Sequence, residues 1–166
     1  MADGLQYALM NFSLVMFFFA VIFSLIDNII SALFRRGTSG YSLLFRWVAL
    51  LPLGITGIYA FIMHAFFPDF TASSIGWSSS PFQFEVAMAD LAFGVLGILA
   101  FNASYGFRLA TVIGSTCFLW GDAVGHVYQM LMHHNFSVGN AGSWFWIDIL
   151  LPLVLIFCIY KMRPKY

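Results

Sequence analysis

Asp122, His126, Gln129 and His133 recur at i, i+4, i+7 and i+11 inside an otherwise apolar stretch, RLATVIGSTCFLWGDAVGHVYQMLMHH, residues 108–134. At ~100° per residue these four fall within ~60° of one another on one helix face. Ser115, Thr111 and Arg108 continue the stripe backwards, and Phe118 interrupts it. An ionisable side chain in a membrane costs a few kcal/mol unless it faces protein, water or an ion, so such a stripe marks a functional site by default. The Asp-x-x-x-His spacing of Asp122 and His126 can present two ligands to one metal. It can equally form a carboxylate–imidazole hydrogen bond with no metal between them.

Other acids and imidazoles stand where they could join this pair. Glu85 and Asp90 lie on different sides of one apolar segment, His64 ends another, and Asp148 sits early in a third. Glu85 with His64, His133 or Asp148 would complete a mixed nitrogen and oxygen shell for a divalent or redox metal ion such as Zn, Fe, Mn or Cu(II). Each residue also has a plainer reading. Glu85 near a helix N-terminus can satisfy the helix dipole, a terminal His64 can be an interface residue, and the whole set can be a polar network fixing helix register. His64 and His126 as haem ligands is a weaker option, because the two do not share a depth. A proton pathway needs the same residue types, but below Asp122 the stripe continues only as Ser115 and Thr111.

The elements that must position these groups follow from composition. The chain is 61% hydrophobic, 19% aromatic and 8% charged, with net charge zero and a mean hydropathy of +0.89. Soluble domains carry roughly a quarter charged residues, so the reading is an integral membrane protein with its core between helices in lipid. No basic arm or surface points to nucleic acid. Cys117 and Cys158 both lie in apolar segments and read as packing residues.

The expected fold is all-α, a single transmembrane domain over 1–166 with spans at about 5–34, 43–67, 81–101, 108–133 and 143–160. The first is longer than the ~30 Å hydrocarbon core requires. Asp27, late in that span, is expected to pair with Arg35 or Arg36. Pro52 is expected to kink the second span. Ser80, Pro81 and Gln83 read as a capping box opening the third, where Asp90, Gly94 and Gly97 form a side suited to close helix packing. Gly125 reads as an opening for a neighbouring helix beside His126. The seven basic residues all fall at one set of span ends: Arg35, Arg36, Arg46, Arg108, Lys161, Arg163 and Lys165. By the positive-inside rule the N-terminus is outside and the C-terminus cytoplasmic. Trp77, Trp144 and Trp146 then mark the outer interface, and the carboxylates and imidazoles of four helices converge in or above the outer half.

The segments IGWSSSPFQFEVAMADLAFGVLGIL, FLWGDAVGHVYQM, HNFSVGNAG and WIDILLPLVL resemble a family of small multi-pass bacterial membrane proteins with no assigned function. The resemblance covers roughly residues 61–155, with recurrent pieces at 75–77, 81–85, 125–126 and 135–142. It implies a multi-pass protein of the bacterial cytoplasmic (inner) membrane and brings no activity with it. Two function classes stay open. One is a membrane protein with an outer-facing metal or small-ligand site. The other is a non-catalytic structural subunit, a homo-oligomer or part of a larger membrane complex, whose polar groups fix packing. In both the lipid bilayer is the partner.

Overall fold

A computed structural model describes residues 9–164, and these are helical with no strand. The expected start of the first span near residue 5, and Lys165, lie outside the described residues. The helices are α1 (Phe12–Leu33), α2 (Gly40–Val48), a π-helical segment (Ala49–Ile55), α3 (Thr56–Phe66), α4 (Pro68–Ile75), α5 (Phe82–Ala100), α6 (Tyr105–His133), α7 (Val138–Ala141) and α8 (Ser143–Met162).

Among the described residues four stretches are long and apolar enough to cross a membrane: Phe12–Leu33, Gly40–Phe66, Phe82–Ala100 and Val138–Met162. The chain is therefore a membrane protein with several apolar helices. Helix α6 is the longest at 29 residues, about 43 Å, and its polar stripe keeps it out of that apolar set. The large apolar side chains on the outside of the bundle, among them Phe18, Ile22, Leu25 and Ile29 of α1, suit a lipid surround, where burial between helices is not the only home for a hydrophobic residue.

Pro52 does not break its helix. The 27 residues Gly40–Phe66 stay helical throughout, and the segment around Pro52 widens into π geometry. A proline has no N–H and its ring collides with the carbonyl a turn back; a wider local turn accommodates it. The core lies beside this segment, where Phe45, Val48, Ala49 and Leu53 meet Leu151, Leu155 and Cys158 of α8. Cys158 is buried, Cys117 is exposed, and both are free thiols.

Helix α5 packs on α3 and the π-helical segment through glycines. A Cβ placed on Gly57 would lie 2.8 Å from Gly94 Cα and 2.9 Å from the Asp90 carbonyl oxygen; one on Gly97 would lie 2.7 Å from the Gly54 nitrogen. These are backbone-to-backbone approaches that no larger residue allows. They fix Asp90 beside α3, the close packing expected of that side of α5. Gly125 plays no such part, since nothing lies within 4 Å of the position its Cβ would take.

Two local expectations change. Asp27 takes the Trp47 indole N–H at 3.2 Å, and no arginine lies within ion-pair distance of it among the described residues. Trp47 of α2 holds it there instead, while Arg35 and Arg36 follow the end of α1. Gln83 does not close a capping box, because α5 has no side-chain cap and the Gln83 amide has turned to His64. Most of the connection after α3 is also helical: α4 starts at Pro68, and the Thr71 hydroxyl donates to the Met63 and Phe67 carbonyls at 3.0 and 2.9 Å.

At the arginine-bearing end, Arg108 is buried. Its guanidinium donates to the Ala100 and Phe101 carbonyls (3.0 and 2.7 Å) and to the Ser42 hydroxyl (3.3 Å). It thereby ties α6 to the end of α5 and the start of α2, satisfying carbonyls that the α5 terminus leaves open.

Candidate functional site

At the opposite end of the bundle a cavity of about 470 Å³ opens between α1, α3, α5, α6 and α8. Asp90, Asp122, Asp148, His64 and His126 all line it. They come from four helices, the convergence read from the sequence. Three of the eight candidate residues do not join them. Glu85 and His133 are exposed, and Gln129 is half-buried, with its carbonyl taking the Asn135 N–H at 3.2 Å. Glu85 points away because it stands five residues, ~140°, from Asp90 on α5. His133 lies in the last turn of α6, where its ring meets Tyr128 edge-on at 5.7 Å. Among the described residues no three His, Cys, Asp or Glu side chains are grouped as metal ligands, so the mixed nitrogen and oxygen shell is not assembled.

His126 is held from outside the stripe. Its Nδ1 lies 2.8 Å from the Asn140 amide oxygen. The Asn140 amide nitrogen donates to the His126 and Asn135 carbonyls at 3.3 and 2.9 Å. That arrangement settles the roles: the Asn140 oxygen accepts, so Nδ1 carries the proton and Nε2 faces the cavity. Its acidic neighbour is Asp148, at 3.7 Å from Nε2, and not Asp122 a turn away on the same helix. At 3.7 Å the contact is too long for a direct hydrogen bond, and it is an ion pair only when the imidazole is protonated. The i, i+4 pair read from the sequence is replaced by one between helices, because α8 crosses α6 where its Asp148 meets the imidazole.

His64 is oriented in the same way. Its Nδ1 stands 2.6 Å from the Gln83 amide oxygen, which leaves Nε2 unclaimed by that bond. The three carboxylates Asp90, Asp122 and Asp148 all line this one cavity. Asp90 Oδ2 and Ser13 Oγ are buried with no hydrogen-bond partner among the described residues, and both residues line the cavity. No Lys or Arg is among its lining residues.

The rest of the wall is mostly apolar and aromatic. Phe93 stacks on Phe118 at 5.1 Å and Tyr59 on Trp144 at 6.2 Å. The Tyr59 hydroxyl and the Trp144 indole donate to the Leu9 and Met10 carbonyls at 3.1 and 3.0 Å, which pins the approach to α1 beside the cavity.

A cap of two loops covers this end. Gly76 takes the left-handed conformation (φ +79°) where a Cβ would also strike Ser137 and Asn135. The Asn135 amide donates to the Ile75 carbonyl at 2.8 Å while its oxygen accepts from the Ser137 N–H at 3.1 Å. Gly139 lies against the Ser74 carbonyl, and Trp77 lies 6.1 Å from the His126 ring. Pieces far apart in the chain, 75–77, 126 and 135–142, thus meet at this end, and Gln83 of 81–85 reaches the cavity wall through His64. Asn140 beside His126, Gln83 beside His64 and Ser13 on the cavity wall are residues that type alone does not single out. Asn140 sits in a Gly/Asn-rich turn that reads as a loop, Gln83 reads as a cap, and Ser13 is a small polar residue in an apolar helix.

No curated protein and no solved structure matches the chain at a significant level. A family model does, over residues 10–165, which takes in the cavity, the cap and the arginine-bearing end. The chain belongs to DUF6790, a family of unknown function.

Proposed function

We propose that this is a five-span protein of the bacterial cytoplasmic membrane, N-terminus outside and C-terminus inside, that binds a small ligand in the outer half of its bundle. Helix α6 is the remaining span: Asp122 and His126 of its stripe line the cavity and Arg108 is buried at the other end. The observation that carries the reading is the meeting of Asp90, Asp122, Asp148, His64 and His126 on one cavity from four helices. Buried acids kept only for packing would be expected to complete their hydrogen bonds; Asp90 does not. The dedicated support of both imidazoles by amide side chains favours a built site, since such supports fix tautomer and orientation.

The second reading, a structural subunit or homo-oligomer held by a polar network, is favoured by Asn140 alone. That fully buried residue ties α6 to the 135–142 loop and would do so with no ligand. Cysteine labelling separates the two. In a Cys117→Ala background, Thr56→Cys places a thiol on the cavity wall, and Ser79→Cys places a control in the outer loop. A membrane-impermeant, positively charged thiosulfonate reagent applied to intact cells should modify both. Modification of the control with none at position 56 would contradict a cavity reached from the outer side.

A further inference from the structure

We infer that the ligand is a protonated amine bearing an aromatic or branched apolar group, an inference that rests on the small-ligand reading of this cavity. Three features specify it independently. First, among the described residues the cavity is lined by three carboxylates and no Lys or Arg, and there the acid–imidazole contact of His126 with Asp148 leaves Asp90 and Asp122 without a cationic partner. An ionised carboxylate away from water needs a counter-charge, and an arriving cation supplies it. Second, two fully buried polar atoms on the wall, Asp90 Oδ2 and Ser13 Oγ, have no partner among the described residues; Ser13 has no exposure at all. The Asp90 carboxylate only accepts and the Ser13 hydroxyl can accept as well as donate, so a ligand N–H group can satisfy both. An ammonium with N–H bonds does this and a quaternary nitrogen does not. Third, the remaining wall is apolar, with Phe93, Phe118, Tyr59 and Trp144 as paired ring surfaces. Aromatic faces take both an apolar substituent and a neighbouring cation.

A bare metal ion fits less well. The ligand residues are spread around the wall and form no group of three among the described residues, and a hard ion would leave most of a 470 Å³ space unfilled. A carboxylate-bearing ligand would add like charge to the three acids.

The test is titration calorimetry of the full chain in an uncharged detergent at neutral pH, using 2-phenylethylamine as the probe. The neutral 2-phenylethanol, of the same size, and phenethyltrimethylammonium, charged but without N–H donors, are the comparisons. The amine should bind about tenfold or more tightly than the alcohol, the scale of one charge-assisted hydrogen bond, and more tightly than the quaternary cation. Asp90→Asn should remove most of the advantage over the alcohol, and Ser13→Ala should reduce it several-fold, with alcohol binding kept as evidence of an intact cavity. Equal binding of amine and alcohol by the unaltered protein would overturn the inference, leaving an apolar pocket. So would binding of neither while position 56 is still labelled by the cationic thiol reagent. Stoichiometric displacement of the amine by Zn²⁺ or Mn²⁺ would overturn it in favour of a metal. Failure of the labelling itself would instead remove the small-ligand reading beneath it.

Discussion

Asn140 shows most clearly how single residues set this site. It is completely buried and spends its amide on the His126 imidazole and two carbonyls. Asn140→Ala removes the acceptor of the His126 Nδ1 proton, leaving that buried group unsatisfied at roughly 1–3 kcal/mol, and takes a donor from two carbonyls. The expected outcome is a clear fall in melting temperature in detergent; a change within error would mean the hydrogen bonds carry no net stability. Asp148→Asn removes the partner that Nε2 of His126 faces while keeping shape, and should lower stability less than Asn140→Ala, because a 3.7 Å contact is weaker than the shorter hydrogen bonds it is compared with. At this scale the sequence was half legible. The i, i+4 spacing identified His126 and Asp122 as neighbours on one face, but the imidazole's actual partners lie 14 and 22 residues away, and helical spacing says nothing of contacts made across a bundle.

Among the elements, the pairing of α3 with α5 is what brings Asp90 to the cavity, and it depends on glycine. Gly57→Ala would force its Cβ against the backbone of Gly94 and Asp90, so the helices must separate. We expect a loss of about 1–3 kcal/mol, the scale for overpacking a fitted contact, and weakened ligand binding as Asp90 shifts. Gly121→Ala, with open space at its Cβ, should leave stability unchanged or slightly raised. Equal effects of the two substitutions in thermal melts would show that the close approach contributes nothing. The small residues on the Asp90 side of α5 made this packing legible before the structure. The π-helical segment was not legible, because Pro52 announces a disturbance but not whether the helix answers by bending or by widening. The capping box failed for a related reason: Ser-x-x-Gln describes local bonding, and Gln83 found a stronger claim on His64, 19 residues away.

For the whole molecule, composition alone established a membrane-borne helical protein, since so few charges cannot cover a water-facing surface. Helix α6 is where apolarity and position part company: its stripe removes it from the apolar set yet gives the bundle its polar interior. The charge bias predicts that a reporter fused after Tyr166 is active only in the cytoplasm and one inserted at 73–80 only outside; the reverse pattern would invert the cavity's placement. The central claim is that the carboxylates serve a ligand rather than the packing. The most direct measurement is the ligand-free melting temperature of Asp90→Asn/Asp122→Asn against the unaltered chain in one detergent. Neither acid has a hydrogen-bonded partner whose loss would matter, and residues kept for function are commonly held at a cost to stability. The account predicts an unchanged or higher melting temperature, whereas a fall of several degrees would show these acids to be structural and contradict it.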